Sequence, residues 1–136
     1  MTKEIWLNLP VKDLQRSKAF FSALGYTFDS PRDNDAMASL IIGNKKFAVM
    51  LFAEHLFKSF IQTEVTDTKK SSEILISLDA ESREEVDEFA KKVVAAGGTL
   101  YAIPAENQGW MYGCAFIDPD GHRWNVLYMD MNKMPK

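Results

Sequence analysis

At 136 residues the chain is long enough for one domain with an ordinary core and too short for a second full one. With 46% apolar, 12% aromatic and 26% charged residues it belongs among globular chains, not disordered or fibrous ones. A net charge of −3, with basic pairs only at Lys45-Lys46, Lys69-Lys70 and Lys91-Lys92, argues against nucleic acid as a partner. Cys114 stands alone, which excludes an internal disulfide and a cysteine-rich metal site. No apolar run approaches the ~18 residues of a membrane helix, and MTKEIWLNLP lacks an apolar secretory core, so no membrane is expected and a cytoplasmic setting is.

In chain order, Ile5 to Val11 alternates and reads as a strand, with Ile5, Leu7, Leu9 and Val11 on one face and Trp6, Asn8 and Pro10 on the other. Asp13 is a candidate N-cap for a helix over residues 14–24, whose stripe of Leu14, Ser17, Phe21 and Leu24 ends at Gly25. Residues 31–35 read as a loop. Ala36 to Ile42 and Lys46 to Phe52 follow as a hairpin turning at Gly43-Asn44-Lys45. Leu56, Phe57 and Phe60 give residues 54–61 the spacing of a short amphipathic helix, and residues 62–72 are polar and aperiodic, the signature of a linker.

The same order then recurs. Glu73 to Asp79 alternates as a strand, with Glu73, Leu75 and Ser77 opposite Ile74, Ile76 and Leu78. Ser82-Arg83-Glu84-Glu85 has the form of a capping box, and Val86, Phe89, Val93 and Ala96 form the helical stripe that Gly97-Gly98 ends. Thr99 to Ile103, Trp110 to Ile117 and His122 to Met129 read as three more strands, with residues 105–110 as a candidate lid. The expectation is an α+β fold of two tandem βαβββ modules, about residues 1–62 and 73–130, whose sheets form an open barrel-like cleft. Clefts of that kind favour small-molecule ligands.

Two stretches sharpen this. LNLPVKDLQRSKAFFSALGYTF (residues 7–28) and FIDPDGHRWNVLYMD (residues 116–130) resemble the opening strand and helix, and the closing hairpin, of the vicinal oxygen chelate superfamily. That superfamily includes glyoxalase I, bleomycin and fosfomycin resistance proteins and extradiol dioxygenases. The resemblance implies a divalent metal on the inward strand faces, held by a His or Gln in the first strand, a His opening the second module and a Glu in the last strand. Glyoxalase I-like members add a Glu late in the first module. Counted along this chain, the first position falls on Trp6, with Asn8 beside it, and the second on Glu73. The third falls on Asn125 and the fourth among residues 49–51, with no donor before Glu54.

Indole cannot ligate a metal, and one carboxylate with neutral amides makes a weak set, so the metal candidates are Glu73 and Asn125, with Glu54 or a partner-chain residue as a further helper. His122 sits in a Asp-Pro-Asp-Gly turn and reads as a turn residue, and His55 as a helix-start residue. Cys114 reads as a small buried hydrophobe. The leading expectation is a homodimer binding a small organic molecule without a cofactor, through Trp6, Asn8, Glu73, Trp110, Tyr112 and Asn125. The rival is a lyase or dioxygenase using Zn, Ni, Mn or Fe. A third reading is a pure assembly module.

Overall fold

Each half of the chain builds its own four-stranded sheet, and the two sheets share one topology. The computed structural model describes residues 1–135. Two compact units divide at Asp67 and Thr68. The first contains β1 (Leu7–Val11), α1 (Leu14–Ala23), β2 (Thr27–Phe28), β3 (Met37–Ile42), β4 (Phe47–Ala53) and α2 (Glu54–Ile61). The second contains β5 (Leu75–Asp79), α3 (Arg83–Ala95), β6 (Thr99–Asn107), β7 (Met111–Ile117) and β8 (Arg123–Met129). Strand order is β1-β4-β3-β2 in one and β5-β8-β7-β6 in the other. In both, the strand before the helix pairs in parallel with the last strand, and the remaining pairs are antiparallel.

The caps explain where the helices begin. Asp13 accepts the Arg16 N–H at 3.1 Å and Ser82 accepts the Glu85 N–H at 3.1 Å, each replacing an intrahelical partner that the first turn lacks. The reciprocal arm of the expected box lands one residue early: the Glu85 carboxylate accepts from the Glu81 N–H at 2.8 Å. Beyond the helices, Gly25 and Gly97 take φ of +100° and +89°, the left-handed turn that lets the chain reverse into β2 and β6.

One face of each sheet packs on its helix. Leu9, Val11, Leu40, Val49 and Leu51 are buried with Phe20 and Phe21, and Val86, Ala90 and Val93 are buried with Phe116, Trp124 and Val126. Each large side chain withdrawn from water contributes about 1.5–3 kcal/mol, so these faces carry most of the fold's stability. Trp124 stacks on Phe116 with centroids 6.0 Å apart and an interplanar angle of 9°.

Beyond one-residue shifts at several element ends, the structure departs from the sequence expectation in four places. β1 begins at Leu7 and leaves Ile5 and Trp6 outside the ladder, and β5 begins at Leu75 and leaves Glu73 outside it. Residues expected to be loop include a 3₁₀ turn at Ser30–Arg32, behind the two-residue β2, which is too short to show a period. β6 runs on to Asn107 through two register shifts. Pro104 hides that continuation in the sequence, yet β6 is an edge strand, where a missing N–H is tolerated.

Candidate functional site

The duplicated topology supplies an internal ruler. Asp13 and Ser82 cap equivalent helices, so Val11 and Ala80, two residues before each cap, are twins, and Asn8 is the twin of Ser77. Asn8 pairs with Met50 and Ser77 pairs with Asn125, which makes Met50 and Asn125 twins. The next strand pairs Met50 with Ser39 and Asn125 with Ala115. The edge strand then aligns Thr27 with Thr99, and with them Gly25 with Gly97. Caps, ladders and glycines therefore give one consistent alignment of the modules.

On this alignment the twin of Trp6 is Leu75, not Glu73. The four positions to which the resemblance assigns ligands, two in each unit, hold Trp6 and Met50 in the first and Leu75 and Asn125 in the second. Glu73 lies exposed ahead of β5, four residues before the Ser77 that pairs with Asn125. At ~3.3 Å per residue that is roughly 13 Å along the strand, too far for one ion to bridge. Indole, thioether and alkyl groups with one neutral amide do not suit a divalent metal that prefers imidazole and carboxylate. The residues present do not fit that ion. Among the described residues, no group of three or more His, Cys, Asp or Glu is gathered to hold one.

The open faces, opposite α1 and α3, have their own chemistry. Trp6 is 53% exposed and Asn8 is exposed beside it in sequence on β1's open side. In the second unit Leu75, Ser77 and Asp79 alternate outward on β5, and Arg123, Asn125, Leu127 and Met129 do so on β8. Asn125 Oδ1 is buried with no hydrogen-bond donor among the described residues. The Arg123 guanidinium lies over the Tyr101 ring, 4.5 Å from its centroid.

The structure does not bring Tyr112 to that face. Its hydroxyl donates to Asp87 on α3 at 2.6 Å, and the Arg83 guanidinium, paired with Glu106 at 2.5 Å, covers its ring at 5.0 Å. Donation to a carboxylate holds the Tyr112 phenol above its ordinary value. Trp110 occupies the turn between β6 and β7, with its indole N–H buried and unpartnered among the described residues. Ala105 to Asn107, expected to open a lid, are ladder residues of β6.

His122 and Cys114 belong to the framework. Asp118 organises the hairpin: one carboxylate oxygen accepts the Asp120 and His122 backbone N–H groups at 2.9 and 3.0 Å, and the other accepts the Trp124 indole N–H at 3.1 Å. Burial raises its pKa, while the nearby His122 and these donors pull the other way. His122 is itself 8% exposed, so it is a packed residue of the turn. His55 is exposed on α2.

A duplicated βαβββ unit with this strand order, closing on an Asp-Pro-Asp-Gly-His hairpin, defines the vicinal oxygen chelate fold. A family model described as bleomycin resistance protein-like N-terminal matches residues 3–43. The solved structure of hypothetical protein SA1046 from S. aureus is 35% identical, with a TM-score of 0.85 over 94% of this chain and 95% of that one. A glyoxalase/bleomycin resistance protein/dioxygenase family enzyme from Burkholderia phytofirmans PsJN is 20% identical, with a TM-score of 0.78 over 91% and 96%. The fosfomycin resistance protein FosX from Listeria monocytogenes is 18% identical, with a TM-score of 0.70 over 98% of both chains. No curated protein matches the chain. The chain thus has the fold of the glyoxalase/bleomycin resistance/dioxygenase structures, and its first 43 residues include a match to the bleomycin resistance protein-like N-terminal model.

Proposed function

We propose that this protein binds a small organic molecule on the open faces of its sheets, without a tightly held catalytic metal, and acts as a homodimer. One observation supports the reading above the others: aligned through caps and ladders, Trp6 just ahead of β1, Met50, Leu75 and Asn125 correspond to the positions to which the family resemblance assigns ligands. Such side chains favour an apolar or planar body, with the Asn125 amide left for a polar group. A metal-dependent lyase or dioxygenase would need two or more strong donors there, and the aligned positions offer one neutral amide and no imidazole or carboxylate.

The test has two arms. Protein purified without chelator is expected to carry no stoichiometric metal, and Mn, Fe, Co, Ni or Zn is expected to shift its melting temperature by less than about 1 °C. A shift of several degrees that disappears in Asn125→Ala would overturn the metal-free part. A screen by tryptophan quenching is expected to find saturable ligands whose binding weakens in Trp6→Ala. If no compound saturates, binding itself is refuted.

A further inference from the structure

The open face of the second sheet carries a cation that no carboxylate among the described residues pairs with. Arg123 is half-buried on β8, and among the described residues its one charged or aromatic contact is the face of Tyr101. Its direct neighbour across the ladder is Leu75, which is 54% exposed. The carboxylates nearest along β5 are Glu73, two residues before Leu75, and Asp79, four residues after it, about 7 and 13 Å along the strand. Neither forms an ion pair with Arg123 among the described residues. Arg83, by contrast, on the helix-covered side, also lies over a tyrosine ring but is paired with Glu106.

A guanidinium resting over an aromatic ring is partly pre-organised. Less rotamer freedom is lost on binding, and a guanidinium's planar N–H fork is the geometry that receives two oxygens of one anion. Around it the same face offers the Ser77 hydroxyl and the Asn125 amide, paired across β5 and β8, next to the apolar Leu75, Leu127 and Met129. Asn125 lies two residues from Arg123 on the same side, a spacing of about 7 Å that a small molecule spans.

We propose that Arg123, held on Tyr101, is the anion-recognition residue of this protein's ligand site, so that its ligand joins a carboxylate, phosphonate or similar anionic group to a compact apolar or planar body. This rests on the small-molecule reading above and names the ligand class for the same site. The chain's net charge of −3 would by itself favour a cationic ligand, and the local arrangement reverses that preference. Asp79, at the far end of the face, disfavours a second anionic group there.

The experiment measures four probes of one shape against the full-length protein by ligand-observed NMR titration: benzoate, phenylphosphonate, benzamide and benzamidinium. Benzoate and phenylphosphonate are expected to bind tighter than benzamide, and benzamidinium weakest. Arg123→Met is expected to weaken the two anions about ten- to a hundredfold, as befits a lost charge-assisted hydrogen bond, while leaving benzamide within about twofold. Arg123→Lys, which keeps the charge and most of the packing, is expected to retain part of the preference and serves if the Met variant does not fold. Benzamide binding as tightly as benzoate, with both indifferent to the Arg123 variants, would overturn the anion inference and leave the small-molecule reading standing. Binding by none of the four would overturn both.

Discussion

Cys114 shows how much one buried residue can be made inert by its surroundings. Desolvation and the nearby negative Asp87 push its thiol from 9.0 to about 11. At neutral pH that leaves roughly a hundredfold less thiolate than an ordinary cysteine, and the thiolate is the reactive form. Iodoacetamide is expected to label the native protein at least about a hundredfold more slowly than the same chain in urea. Equal rates in both states would contradict the burial argument. The linkage sign follows from the same shift: between pH 9 and about 11 the native state keeps a proton that the unfolded chain releases, so this group's contribution to stability falls as pH rises through that window. Cys114→Ala is expected to remove that part of the slope in urea titrations. The sequence made the burial of Cys114 legible from Gly113, Ala115 and Phe116, whereas Asp87 reaches it only through the packing of α3 on the sheet.

Among the elements, the β7–β8 hairpin is the most tightly specified. Gly121 has φ of +85°, and a Cβ there would collide with the Thr68 side chain, whose hydroxyl donates to the Asp120 carbonyl at 2.5 Å. Gly121→Ala is therefore expected to destabilise the protein by about 1–3 kcal/mol, read as a lower urea midpoint, and adding Thr68→Ala should recover part of the loss. Full additivity of the two changes would show that the contact with Thr68 plays no part. The turn itself was legible from Asp118-Pro119-Asp120-Gly121, because proline and glycine restrict backbone angles locally. Its tether was not, since Thr68 belongs to a polar stretch with no period. Helices α1 and α3 were legible for the same local reasons, through Asp13, Ser82 and the glycines behind them. The register of β5 was harder to see: Glu73, Leu75 and Ser77 share one side of an alternating run, and parity alone cannot say which of them the ladder begins with. That ambiguity set Glu73 in the place that pairing gives to Leu75. Tyr112 illustrates the converse, an aromatic whose type suited a ligand site but whose strand parity and Asp87 partner put it on the helix side.

For the molecule as a whole, several large apolar side chains stand exposed. Ile5, Phe60, Ile103 and Met131 are 75%, 60%, 72% and 63% exposed, and a second copy would withdraw such groups from water. Sedimentation equilibrium at tens of micromolar is expected to give about twice the 15.4 kDa chain mass, and a monomer mass there would refute the homodimer. At this scale the duplication was legible because strand, helix and strands recur in order, and the identity of the ligand positions was not, because it depends on ladder partners far apart in sequence. The repeated strand order has one more consequence. Although α2 has no equivalent in the second module, the capped helices and the paired strands supply counterparts at matched ladder positions: Asp13 with Ser82, Asn8 with Ser77, Met50 with Asn125. The chain thus carries its own control, in which a residue changed in one copy can be compared with its untouched sibling a few tens of residues away. Where siblings differ most in chemistry, as methionine and asparagine do, the two halves present different groups from equivalent places in the ladder.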